Sequence, residues 1–377
     1  MEFLGIKARA GESSIADTIR FEYSSQRDLG DFLNQVNVFA SLSNTVIHPK
    51  DLAVFAPLPP NLSQPVSVSG IFKGKINRFR FSDMDIRVGN QTHLKGSLEM
   101  DGLPDITETF ILLSLKESQV SFPDLGFLFN DRVTKRLQPL GVLNVYGEFL
   151  GYPSDFVANG TFSSEIGSII SDINFKVDEQ LVDQSSYAGK LKLINFNLGK
   201  YLNDTINFQT VSMAGTITGK GLTQNTADFK LDGKIESLGI RNYNYSNIKT
   251  NARFASEFFS GRMEIDDPNL EFRAEGSIDL RNKINEIKLK GKLDTAYFHK
   301  LYLSKKELFI RSTLDIDSRG FSLDSLIGRA QLNNLFIQYE NQQLALNKIA
   351  MESRYSSTLT EIKMQSTLLD VEVIGNF

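Results

Sequence analysis

The chain reads as mainly β: an elongated, curled antiparallel β-sheet, a β-groove or taco, with short helical inserts. Three observations predict this. Apolar and polar residues alternate with a period of two over long runs. One glycine-polar-apolar phrase recurs along the chain, and no long amphipathic helix is available to cover the apolar side. The clearest run is Leu270–Leu280, where Leu270, Phe272, Ala274, Gly276, Ile278 and Leu280 alternate with Glu271, Arg273, Glu275, Ser277 and Asp279. Such alternation gives a strand one dry and one wet face. At about 3.3 Å per residue the run spans about 35 Å.

Taken in order, the first ten residues carry no clear pattern. Ile15–Tyr23 is weakly strand-like. Leu29, Phe32, Leu33, Val36 and Phe39 have helical spacing, which predicts a short amphipathic helix in Asp28–Phe39 although Gly30 weakens it. A helical turn is expected in His48–Phe55, ended by Pro57, Pro59 and Pro60. Residues 1–60 thus read as an N-terminal segment with short helices leading into the sheet, and 61–377 as one continuous, repeating β-groove.

In that second part Val66–Ile76, Met84–Val88 and Leu94–Met100 alternate. Phe110–Leu115 is apolar on both parities, which predicts a strand covered on both faces. A helical insert is expected over Pro123–Leu137. Strands resume at Leu143–Phe149, Phe156–Phe162, Ile173–Val177 and Tyr187–Leu193, followed by a helical turn at Leu198–Leu202. Val211–Ile217 leads into the central meander, Phe229–Leu293. Beyond it come a short apolar insert, Ala296–Leu303, and strands at Leu308–Ile316, Gly328–Ile337 and Ile362–Leu368. The alternation of Leu369, Val371, Val373, Gly375 and Phe377 runs to the last residue, so a fragment of a longer chain is expected.

The recurring phrase appears at Gly74-Lys75-Ile76, Gly147-Glu148-Phe149, Gly160-Thr161-Phe162, Gly215-Thr216-Ile217, Gly233-Lys234-Ile235 and Gly276-Ser277-Ile278, among others. Its glycine always takes the dry parity. Glycine weakens a strand, so its repetition predicts bends, bulges or close backbone approach. A row of such glycines would let the sheet curl into a trough.

Composition narrows the function classes. A net charge of −4, with both signs interleaved along the strands, gives no basic surface for a nucleic acid. The absence of cysteine excludes a disulfide, a thiol nucleophile and a thiolate metal site. His48, His93 and His299 are far apart and lack paired metal-ligand spacing. Gly215–Gly221 misses the spacing of a phosphate loop. Asp315–Gly320 has the flavour of a calcium loop, but Arg319 stands at a ligand position and Leu326 where the bidentate acid belongs. The sequons at Asn61 and Asn159 are chance-level in an asparagine-rich chain. No catalytic constellation, metal site or cofactor motif emerges, and the expectation is a protein that is not an enzyme.

Several blocks resemble a known family. Lys50–Pro57 through Gln64–Gly70, Leu98–Asp105, Asn197–Asp204 and, most characteristically, Ile265-Asp266-Asp267-Pro268-Asn269-Leu270 are similar to the middle region of TamB-like proteins of Bacteroidetes, related to the AsmA family. The resemblance covers roughly Ser13 to the C-terminus, on loosely spaced β-repeats. It implies a periplasmic protein anchored in the inner membrane by an N-terminal helix and reaching toward the outer membrane. It also implies a β-groove with an apolar interior and a role in outer-membrane biogenesis. That role is phospholipid transport and, in TamB itself, assembly of outer-membrane proteins with a barrel partner. The N-terminal anchor and the C-terminal domain of TamB are not read in this sequence, so docking on a barrel carries over to no residue here.

An apolar face cannot stay in water at about 25 cal/mol per Å². Phospholipid acyl chains would cover it while their headgroups stay wet. The competing class is a structural or assembly scaffold for outer-membrane β-barrel proteins, and a third is an integral barrel. The candidate lipid-lining residues are the dry parity of the meander: Phe229, Leu231, Ile235, Phe254, Met263, Ile265, Leu270, Phe272, Ile278, Leu280, Ile287, Leu289 and Leu293. Lys230, Lys234, Arg262, Arg273, Lys288 and Lys290 are expected on the opposite face.

Overall fold

A computed structural model describes residues 2–52, 64–126, 131–178, 180–282, 285–320, 327–356 and 359–375. The chain forms two units, Met1–Phe196 and Asn197–Phe377. The boundary expected at 60/61 lies outside the described residues, as do Phe55 and the prolines expected to end its helical turn.

The first unit carries β1 (Glu2–Ala10), β2 (Ser13–Glu22), β3 (Asn37–Ile47), β4 (Val66–Lys75), β5 (Arg78–Val88) and β6 (Thr92–Asp101). It continues with β7 (Phe110–Ser121), β8 (Val142–Tyr152), β9 (Asp155–Ser164), β10 (Gly167–Lys176) and β11 (Ser186–Asn197). The second holds β12 (Phe208–Lys220), β13 (Asp228–Ile240), β14 (Tyr243–Ala255), β15 (Phe258–Asp267), β16 (Leu270–Asp279) and β17 (Glu286–Ala296). After these come β18 (Leu308–Arg319), β19 (Ile327–Tyr339), β20 (Gln342–Ser356), β21 (Leu359–Ser366) and β22 (Asp370–Gly375). Within each unit every strand pairs antiparallel with its predecessor and successor in the chain. Neither ladder closes on itself among the described residues, so each is an open sheet and not a barrel. The mainly β reading therefore holds.

The helices are short: α1 (Phe32–Gln35), α2 (Pro49–Leu52), α3 (Asp131–Leu137) and α4 (Leu198–Leu202), with 3-10 turns beside some of them. Among the described residues no helix is long and apolar enough to cross a membrane. The helical pattern over Asp28–Phe39 resolves into a 3-10 turn, α1 and then β3 from Asn37. Tertiary packing overrides the helical spacing: Val36, Val38 and Ala40 are buried against Ile19, Phe21, Phe32 and Phe72. Helical inserts also staple hairpin turns. The Asp51 carboxylate accepts from the Glu12 and Ser13 N–H groups at 2.9 and 2.8 Å. Asp124 does the same for Gln91 and Thr92, both at 2.8 Å.

A line of β-bulges crosses the first unit. Register slips at Leu42/Thr45, Ser69/Ile71, Phe81/Met84, His93/Gly96 and Leu115/Ser118 lie opposite one another on consecutive strand pairs. Asn44, Asp83 and Glu117 take the left-handed conformation there, with φ of 51°, 51° and 45°. A bulge bends its strand and increases twist, so aligned bulges put a crease in the sheet.

Glycines of the recurring phrase serve close approach. A Cβ on Gly160, at φ 152°, would stand 2.5 Å from the Tyr146 carbonyl oxygen and 2.6 Å from the Gly147 Cα of the paired strand.

Some expectations change. Residues 2–10, without pattern in the sequence, form β1 through pairing with β2. β20 shows no sustained alternation, because its inward parity switches between Leu346 and Met351, opposite the left-handed Asn334. Phe110–Leu115 is not covered on both faces: Phe110 is exposed, edge-on to Tyr152 at 5.5 Å between ring centres.

Candidate functional site

The meander β12–β17 assembles the predicted residues on one face, because its register keeps the dry parities opposite each other. One row runs Phe229, Phe254, Phe259, Ile278, Ile287 across five strands. A second runs Met213, Ile235, Ile248, Ile265, Phe272, Leu293 across six. Between them Gly233, Thr250, Ala252, Gly261, Ala274, Gly276 and Gly291 form a lane of small residues, joined by Leu231, Met263 and Leu289. Two rows of large side chains thus flank a strip of mostly small residues that Leu231, Met263 and Leu289 interrupt.

Burial along these rows is graded. Leu231, Ile235 and Ile265 are 4%, 8% and 9% exposed. Phe229, Phe254, Met263, Leu270, Phe272, Ile278, Ile287, Leu289 and Leu293 are only half-buried. A packed core closes large apolar side chains almost completely; here most keep a share of open surface. Leu270 stands at the end of β16 opposite Ala296. Leu280 differs from expectation: β16 ends at Asp279, and Leu280 lies past it, 39% exposed. Its N–H donates to the Glu257 carbonyl at 2.9 Å, one step beyond the last pair of the β15–β16 ladder. Ile248 and Phe259, readable as strand residues by parity, belong to the same rows.

The opposite face is charged and wet. Lys230, Lys234, Arg262, Arg273, Lys288 and Lys290 are all exposed. Arg262 pairs with Glu275 at 2.9 Å, Arg273 with Glu271 at 3.2 Å and Lys290 with Asp315 at 3.6 Å. Exposed pairs contribute little stability, but they establish which side meets water.

At one end of the meander Asp267 is held by a buried polar network. Its carboxylate accepts from the Tyr243 hydroxyl at 2.5 Å, the Ser246 N–H and hydroxyl at 3.0 and 2.8 Å, and the Asn269 N–H at 2.9 Å. Burial alone would raise the Asp267 pKa. The hydrogen bonds from Tyr243, Asn269 and Ser246 outweigh it and hold the group below the usual carboxylate value. The Tyr243 hydroxyl is pushed up to about 12, by burial first and then by its bond to Asp267. The network ties the β13–β14 turn to the β15–β16 turn, which fixes the register of the rows.

Among the described residues no cluster of His, Asp or Glu has the makings of a metal site. Comparison of the chain with protein-family models, with curated proteins and with solved structures finds no match.

Proposed function

We propose that the apolar face of β12–β17 receives the acyl chains of phospholipids, and that the protein conducts them between the inner and outer membranes of a bacterial envelope, working in the periplasm. The observation that carries this reading is the pair of apolar rows, most of whose large side chains stay half-buried, backed by an ion-paired outer face. At about 25 cal/mol per Å², that surface favours an apolar occupant. An alkyl chain is indifferent to sequence detail along such a face. The resemblance of Ile265–Leu270 and the other blocks to TamB-like proteins supports the same setting.

The test is lipid content. Protein purified without detergent should carry phospholipid by native mass spectrometry and solvent extraction. A photo-reactive residue at Ile278 or Leu289 should crosslink to lipid, while one at Lys288 should not. Lipid-free protein without lipid crosslinks would sink the reading. Crosslinks to unfolded outer-membrane β-barrel chains instead would favour the assembly scaffold.

A further inference from the structure

A cavity of about 500 Å³ lies at the start of the second unit, lined by Phe208, Ile240, Tyr245, Leu301 and Leu303 together with Arg241. Asn207 and Gln224 also line it, although they flank opposite ends of β12. The cavity sits against the end of the β12–β13 hairpin where Phe208 pairs with Ile240. The turn after β17 supplies the apolar wall: Leu301 is 3% exposed and Leu303 55%.

Arg241 is the cation of this lining, and it is preset. Arg241 and Asn242 both have positive φ, 45° and 72°, as in the tight two-residue turns that suit hairpins. The Arg241 N–H donates to the Asn207 carbonyl at 3.2 Å and its Nε–H to Asn207 Oδ1 at 3.3 Å. Those bonds leave the two terminal amino groups of the guanidinium for another acceptor. Arg253, Arg262 and Arg273, on the strands that follow, and Arg281, just past β16, each hold a carboxylate. Among the described residues Arg241 makes no ion pair.

We infer that this cavity binds an anionic amphiphile head-first: the Arg241 amino groups take a phosphate-like anion, and the alkyl chain lies on Phe208, Ile240, Tyr245, Leu301 and Leu303. A guanidinium suits such an anion because its parallel N–H groups match two oxygens at once. The inference deepens the lipid reading and rests on it for where the chain leads next. On that reading the cavity is the point where a headgroup is held as its tail enters the apolar rows.

Calorimetric titration of the intact chain with n-dodecyl phosphate below its micellar concentration tests this, with n-dodecyl maltoside and inorganic phosphate as companions. Saturable binding of dodecyl phosphate is expected, with weaker binding of the maltoside and no displacement by millimolar inorganic phosphate. Arg241→Gln should weaken dodecyl phosphate about tenfold, the usual size of a lost charge-assisted hydrogen bond, and leave the maltoside unchanged. Arg241→Lys should recover part of the loss, and Leu303→Ser should weaken both alkyl ligands. Unchanged dodecyl phosphate affinity in Arg241→Gln overturns the inference. Equal competition by inorganic phosphate overturns it too, in favour of a plain anion site. Phospholipid extracted from a wild-type protein whose Arg241→Gln variant behaves identically would leave the groove reading standing alone. Lipid-free protein that still binds dodecyl phosphate through Arg241 would leave the cavity standing without the groove.

Discussion

Asp267 shows how one side chain disciplines a whole face. Replacing it with alanine leaves the Tyr243 and Ser246 hydroxyls without their acceptor, at a cost of about 1–3 kcal/mol, measurable as a lower urea midpoint. Because its pKa is depressed in the folded state, its contribution is complete above the unfolded value near 4 and is lost as pH falls through the folded value. Asp267→Asn should therefore flatten the acid limb of stability between urea melts at pH 6 and pH 3. An unchanged limb would assign that limb to other carboxylates. Ile278 tests the face itself. In a closed core Ile278→Glu would unfold the protein, since an ionised carboxylate there costs several kcal/mol. At a half-buried position water reaches the charge, so the variant should melt within a few degrees of Ile278→Leu yet lose bound lipid. Ile278 and its row were legible from parity alone. Leu280 was not, because β16 ends at Asp279 and Leu280 stands exposed past it. The Arg241 cavity was not either, since its walls come from separate segments spread between Asn207 and Leu303.

At the scale of the element, what the sequence concealed was the change of parity. Phe79 and Phe81 point inward on β5 before the left-handed Asp83, and Met84 and Val88 after it. A period-two reading sees only one side of such a strand. Glycine parity was visible, and its cause is the neighbouring backbone, which leaves no room for a Cβ. Aspartate, asparagine and glutamate at the bulges give a weaker sign, because the same residues fill wet positions throughout the chain. Glu117 in β7 offers a test. Glu117→Val should cost about 1–2 kcal/mol, since a β-branched residue resists the left-handed region, while Glu117→Gly should be neutral or slightly stabilising. Thermal melts of the two variants separate a bulge from an ordinary exposed strand position, where the ranking would reverse.

At the largest scale, each unit is one open antiparallel sheet built from chain neighbours. The mainly β class and the order of most strands followed from alternation and turn residues. The division at residue 196 did not, since β-patterning continues through it unbroken. Pairing only between chain neighbours has one more consequence. Every contact that defines the ladder closes a short loop, so each unit can assemble hairpin by hairpin from any starting point, as stacked repeats do. Excising residues 153–176, which contain β9 and β10, restores the direction of travel and brings β8 beside β11. That shortened chain should fold cooperatively with a strand-type circular dichroism spectrum, whereas excising 165–176 alone reverses the next strand and should leave a protease-sensitive product. The number of hairpins then acts as a ruler, each adding about 10 Å to its unit, and the length of a unit is a quantity that gene duplication can change two strands at a time.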